Sequence, residues 1–550
     1  MKKKYLYFLF AFLFVAGSAF VVTSSEEEKD TKNISLFASV FKMLKTEFVD
    51  TLDSDILIRR AIDGMVKSVD PHTVFFDEKE TNERNNVWRG ISYSGIGARV
   101  GYSDSNVVIT YPIEGYGAQQ NDLRAGDIYM EIDGFLVKGK PMDTIISKLR
   151  GAPETVVSVT VDRPYVGIVT KKITRKQIIS QSIPFYTMLD TVTGTGYIQV
   201  QQFLVGSDTQ FAEAVKELKK NPKLKSIILD FRDNIGGLVE QAVNCVNVFV
   251  PKNTLIIHVL GKGNDYNNIT HEEPIDTLIP LVILTNNNTI SAGEIFTGAM
   301  QDLDRAVVIG QKTFGKGLVQ GTRFPGYGTS LYVTAARYYT PSGRCIQKRD
   351  YSKRYINGKE TIFADTLKRA FYTRNGRKVY DIGGVEPDVK TEPESTNTPI
   401  IQALSNSGLI FDYATYYRNT NSIKISAEKI SVTDAIFNDF LSFVEKSDFD
   451  FTMAEEEKLK EFQEVMNKNN TTKLFNKKYQ QLANEIKHSK KEILIQNKEL
   501  IKKVLQKEIA VRYYFNTGMM LNSLPIDAEV LKAKAILSSP QEYSKLLNKK

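Results

Sequence analysis

Apolar residues recur at helical spacing from Ile34 to Val69: Leu36, Phe37, Val40, Phe41 and Leu44, then Ile56, Ile58, Ala61, Ile62 and Met65. Asp53 or Ser54 caps the second of two helices there, and Pro71 in "SVDPHTVFF" ends it by pushing the preceding residue out of helical backbone. From about residue 90 to 165 the pattern shortens to strands broken by glycine turns ("GIGARVGY", "NVVITYPI", "LRAGDIYMEIDGFLV", "VVSVTVDRP"), with one helix in "MDTIISKLRG". From about 166 to 395 strands such as "GYIQV", "SIILDF", "LVILTN" and "AVVIG" alternate with helices such as "FAEAVKELKK", "VEQAVNCVNVFV" and "AGEIFTGAMQDL". That alternation predicts βαβ units. Beyond 396 the chain is polar, lysine-rich and helical in period, with Ile493, Leu494, Leu500, Ile501, Val504, Leu505 and Ile509 marking one apolar face. The expected fold class is multidomain α+β: a helical segment over 30–88, a β domain over 89–165, an α/β layer over 166–395 and a helical domain over 396–550.

Composition narrows the class. At 550 residues, 42% hydrophobic and 25% charged, the chain can bury several cores and is neither disordered nor fibrous. Met1, three lysines and an apolar run from Tyr5 to Val22 read as a secretory leader over 1–24, cleaved near "AGSAF" or retained as an anchor; either outcome exports the body, to the periplasm. Cys245 and Cys345 are too few for a disulfide framework or a zinc site and are expected as buried free thiols. No metal or cofactor motif occurs. The net charge of +8 comes largely from lysines in the tail, without arginine forks or an alternation of aromatic and basic residues, and solvated helix faces explain it better than nucleic-acid binding.

Two strand-to-helix turns are candidates for chemistry. "SIILDFRDNIGGL" carries a buried-looking strand into paired glycines whose amides could face a cleft, although a tight turn needs the same residues. "LVILTNNNTISAGEIFTGAM" carries a strand to Ser291 at a helix start, where a serine is either an N-cap or a nucleophile served by the free helix amides. The chain has four histidines, at 72, 258, 271 and 488, and none lies near Ser291 in sequence. Lys316 lies between two glycines, a setting that suits a desolvated lysine acting as base to a serine, with Gln320 able to hold its amine; a solvated lysine and a surface glutamine are the alternative.

The ordered string "SAGEIFTGAMQDLDRAVVIGQKTFGKGLVQ", with "YVTAARYYTPSGRCIQ" and "GGVEPDV" after it, resembles the carboxyl-terminal processing proteases, the S41 family of Ser/Lys peptidases. The resemblance implies Ser291 as nucleophile, Lys316 as general base and Gln320 as the residue orienting it. It also implies an oxyanion hole made by the Ala292 amide with that of Gly236 or Gly237, on a crotonase-like protease core. Gly293 stands where the commoner SASE form has a second serine. Upstream, "GIGARV", "IEGYGAQQNDLRAGDIYMEIDG" and "LRG" resemble the PDZ domain of this family, which implies Gly95, Ile96, Gly97 and Ala98 as a loop that takes a peptide carboxylate. "AIDGMVKSVDPHTVFF" matches the family's N-terminal segment, so the likeness covers about 35–390. Residues 348–381 and the tail after 396 depart from it.

The expected function is an exported serine endopeptidase acting on proteins with free C-termini, with no nucleic-acid partner. The tail is assigned to assembly or substrate handling because its apolar faces need a cover, which could be the protease core, a second copy of the chain or an adaptor; a homo-oligomer is the favoured reading. The alternatives are a catalytically silent PDZ scaffold, against which the intact Ser291, Lys316 and Gln320 set argues, and a crotonase-like acyl-CoA enzyme, which explains neither leader nor PDZ.

Overall fold

The computed structural model describes residues 26–548 except 104, 393–397, 448, 450 and 452–453, with the backbone alone described at 454 and 487–489. The expected leader lies outside the described residues. Among those described, no helix is long and apolar enough to cross a membrane.

The chain divides into two compact units. The first holds residues up to Asp77 with Thr322–Val333 and Tyr351–Lys359. Its helices span 26–47 and Ser54–Val69. Asp53 caps the second by accepting the amides of Asp55 (2.8 Å) and Ile56 (3.0 Å), and Asp70 ends it. The strand Val74–Phe76 then pairs antiparallel with Ser330–Tyr332.

The second unit contains the β domain, the α/β layer and the tail. In the β domain the strands Ala98–Ser103, Asn106–Pro112, Ile128–Ile132, Val156–Arg163 and Gly167–Thr174 form one antiparallel sheet in that order, so Ala98–Ser103 is an edge. Ile109, Ile132, Val157, Val159, Val161 and Ile173 form its core with Ile145 of the helix Met142–Leu149. The sheet runs past 165, where the sequence pattern was expected to turn over. "RPYVG" closes a hairpin whose strands pair from Val156 with Thr174 to Arg163 with Gly167, and a tight hairpin reads in sequence like a linker.

A six-stranded sheet organises the α/β layer: β1 (Phe185–Asp190), β2 (Thr195–Gln199), β3 (Ser226–Asp230), β4 (Leu281–Thr285), β5 (Val307–Gly310) and β6 (Val389–Lys390), ordered as numbered. β1 is antiparallel to β2, and the rest are parallel. Helices α1 (Ser207–Lys219), α2 (Val239–Asn247) and α3 (Ala292–Asp302) pack on Ile227, Leu229, Leu281, Ile283 and Val308. The alternate residues Ile228, Val282, Leu284, Val307 and Ile309 face Met520, Leu524, Val530, Ala533 and Ile536 of the tail. Burial on both faces explains why these strands read as continuous apolar runs.

The tail is helical. α4 (Lys498–Ser523) buries Ile501, Leu505 and Ile509 against Tyr413, Phe437 and Phe440 of the same domain, and α5 (Ala528–Leu537) lies on the sheet. The apolar stripe read from the sequence is therefore covered by the chain itself, and the argument that it requires self-association falls away. Cys245 is buried, whereas Cys345 is only half-buried.

Candidate active site

Ser291, Lys316 and the Gly236–Gly237 pair all follow carboxyl ends of the parallel strands, after β4, β5 and β3 respectively. Strand-to-helix connections there form the crevice in which open α/β sheets bind ligands.

Ser291 does not have the backbone of an ordinary helix cap. Its φ of 58° and ψ of −114° lie in a region a non-glycine residue occupies only under constraint, whereas caps are extended. The constraint comes from both sides. The Ile290 amide donates to Asn234 O (2.9 Å), and the Thr289 hydroxyl donates to Phe231 O (2.8 Å), so the serine loop is stitched to the glycine loop. Asp233 accepts the side-chain amides of Asn286 (3.0 Å) and Asn288 (2.9 Å). Gly236, at φ +83°, approaches so closely that a Cβ there would stand 2.9 Å from Ser291 Cβ and 2.8 Å from Ile290 O. No residue with a side chain fits.

Glu294, wholly buried at the third position of α3, joins the two candidate reacting residues. Its Oε2 accepts the amides of Ser291 (2.9 Å) and Lys316 (2.8 Å), and its Oε1 accepts the Gly315 amide and the Thr313 hydroxyl, both at 2.6 Å. Burial pushes this carboxyl above its ordinary range, while those donors pull it back. One carboxylate oxygen thus fixes the backbone of Ser291 against that of Lys316. Of the two lysines in this loop, Lys312 packs instead on Gly383.

The proposed oxyanion donors differ in their commitments. The Gly236 amide donates to Asn234 Oδ1 at 2.9 Å and is spent within its loop. The amides of Gly237 and Ala292 have no hydrogen-bond acceptor among the described residues. Gly293 follows from the same asparagine, because a Cβ there would come within 2.7 Å of Asn234 Oδ1. Gln320 is half-buried on the strand Leu318–Gly326, and its amide donates to Thr334 Oγ1 at 3.4 Å. In the β domain Gly95, Ile96, Gly97 and Ala98 form a buried turn, where Ile96 O accepts the Ala118 amide (2.7 Å) and Gly97 O the Ile113 amide (2.8 Å). Tyr93 leans across that turn and donates its hydroxyl to Ala98 O at 3.3 Å, with the Arg150 guanidinium 4.7 Å from its ring centre.

Residues 194–355 match the model of peptidase family S41, and residues 400–537 match the "Probable PDZ-protease, C-terminal helical domain". The "Probable CtpA-like serine protease" of Staphylococcus aureus strain N315 is 30% identical over 446 residues, 77% of this chain and 84% of that protein. The chain belongs to peptidase family S41. This S41 chain is also 30% identical, over 63% of its own length and 81% of the relative's, to the "Carboxy-terminal-processing protease" of Bartonella bacilliformis. Among solved structures it is similar to a "photosystem II D1 C-terminal processing protease", at 26% identity and a TM-score of 0.36 over 64% of this chain and 85% of that one. The protein is a serine-type peptidase of the carboxy-terminal processing group.

Glu294, Asn234 and Asp233 were assigned no role from the sequence. For Glu294 a signal was present: serine followed three residues later by glutamate is a capping-box spacing, here used to bind a second loop as well. Nothing local marks Asn234 or Asp233.

Proposed function

We propose that this S41 peptidase is an exported endopeptidase that takes exposed C-terminal tails of proteins and cleaves near them with a Ser291/Lys316 dyad. The observation that carries this reading is the strained Ser291 backbone at a helix start, tied through one Glu294 oxygen to the backbone of Lys316. In this reading Lys316 accepts the Ser291 hydroxyl proton as Oγ attacks the scissile carbonyl. The amides of Ala292 and Gly237 receive the developing oxyanion, and the amine then protonates the leaving nitrogen. Water repeats the sequence on the acyl-enzyme. Gln320, on the strand Leu318–Gly326 that follows Lys316, is read as the residue that orients the lysine.

The β domain is read as a PDZ module. Its edge strand Ala98–Ser103 has a neighbour only on one side, which suits addition of a peptide strand, and "GIGA" stands at the start of that edge. Tyr93, on the Ala98 carbonyl, would have to yield to such a peptide. The leader-like first 24 residues support export to the periplasm. The test is cleavage of an unstructured protein with an apolar C-terminus, presented as free acid and as amide. Wild type should cut the free acid and bind the amide about ten- to a hundredfold more weakly, and Ser291→Ala should cut neither. Equal processing of both tails would remove the PDZ reading and leave the dyad standing.

A further inference from the structure

Arg232 opens the loop "RDNIGG" directly after β3. Its guanidinium closes on Asp230 (Nε 3.0 Å, Nη2 2.5 Å) and extends Nη1 to Asp527 (2.8 Å) and Glu529 (2.9 Å), at the start of α5. Asp527 also caps α5, its other oxygen accepting the amides of Glu529 and Val530 at 3.0 Å each. The second oxygen of Glu529 accepts the side-chain amide of Gln311 (2.6 Å) and the Thr391 hydroxyl. Gln311 is the first residue of the segment that leads from β5 to Lys316. One carboxylate of the tail, 89% shielded from solvent, therefore grips both the glycine loop and the approach to the lysine loop.

Adhesion does not require this network. Leu524, Val530, Ala533 and Ile536 already bury an apolar face on the sheet, and Lys534 pairs with Asp190 (3.1 Å) at another point of the same helix. A partly buried ion network adds little net stability but fixes geometry strictly. Three carboxylates around one guanidinium are tolerable because two of them stand at a helix N-terminus, where negative charge is favoured.

We propose that Asp527 and Glu529 are positioning residues for catalysis: through Arg232 and Gln311 the tail helix α5 holds the loops that carry Gly237 and Lys316, so the helical domain is part of the catalytic apparatus. The proposal rests on the oxyanion and dyad reading above. Hydrolysis of a peptide substrate by the full chain is measured for Asp527→Asn, Glu529→Gln and the double variant, with Lys534→Ala as the control that loosens α5 elsewhere, and Ser291→Ala in parallel. Asparagine caps a helix as well as aspartate does, so α5 should persist. The double variant should lose about 10- to 100-fold in kcat, the cost of a misplaced catalytic group, with KM within about twofold. Lys534→Ala should lower Tm yet keep kcat within about twofold. A double variant with wild-type kcat, or a Lys534→Ala loss of kcat equal to it, would overturn the proposal. If Ser291→Ala is inactive in that case, only the role of the tail fails; if Ser291→Ala remains active, the dyad reading fails with it.

Discussion

In the proposed mechanism Ser291 supplies the chemistry, while Glu294 holds the geometry of its loop. Ser291→Ala removes the hydroxyl and at most a cap worth about 1 kcal/mol, so hydrolysis should vanish while the melting temperature scarcely moves. An active variant, or one that melts far below wild type, would contradict the assignment. Glu294→Gln puts an amide donor where the carboxylate receives either the Ser291 and Lys316 amides or the Gly315 amide and the Thr313 hydroxyl. It should destabilise by about 1–3 kcal/mol, read from denaturant midpoints, and lower kcat. The same residue gives a pH signature. Burial raises its folded pKa, so between the ordinary carboxylate value and the raised one the folded chain keeps a proton the unfolded chain has released. Stability contributed by Glu294 therefore falls as pH rises through that window and is level above it. Melts of the Gln variant should lack this slope, and equal slopes in both proteins would refute it. At this scale the sequence offered Ser291, Lys316 and Gln320 as candidates by residue type and spacing. The positive φ of Ser291 was not, because it is imposed by Asn234 and Gly236, more than fifty residues away.

Among the elements, the parallel strands were legible because burial on both faces leaves unbroken apolar runs, and α3 because its cap spacing stands in the sequence. The break in α4 was not. Phe515 sits at φ 56° and ψ −153° inside an otherwise helical stretch with no proline. The freed amides of Asn516 and Thr517 are received by Tyr111 Oη (3.0 Å) and Glu114 Oε2 (3.1 Å), caps supplied by the β domain some four hundred residues earlier. No local reading can find such a cap. Glu114→Ala should cost about 1 kcal/mol in unfolding midpoint, as other cap losses do. A neutral result would show that the bend is held by packing alone.

For the whole molecule, the sequence placed residues 396–550 outside the protease core, with a role in assembly and none in the chemistry. The packing of Leu524, Val530 and Ile536 on β3, β4 and β5 argues otherwise, since each such side chain contributes about 1.5–3 kcal/mol when buried. Deleting the tail should uncover that apolar face. We expect a truncated protein that aggregates or labels poorly with a serine-directed probe, assayed by size-exclusion chromatography and probe labelling. A monodisperse truncation that labels at the wild-type rate would show that α5 is merely appended. The contact between Arg232 and Glu529 spans 297 residues, and neither side chain announces the other, which is why the tail looked peripheral in sequence.

The central claim is that a lysine serves as base to Ser291, and the rate of Ser291 acylation tests it most directly. Labelling by a fluorophosphonate is followed across pH in wild type, Lys316→Ala and Lys316→Arg. A guanidinium stays protonated and cannot take the serine's proton, so both variants should fail to label while wild-type labelling rises with pH as the amine deprotonates. Labelling of Lys316→Arg at the wild-type rate, or a wild-type rate indifferent to pH, would contradict the dyad.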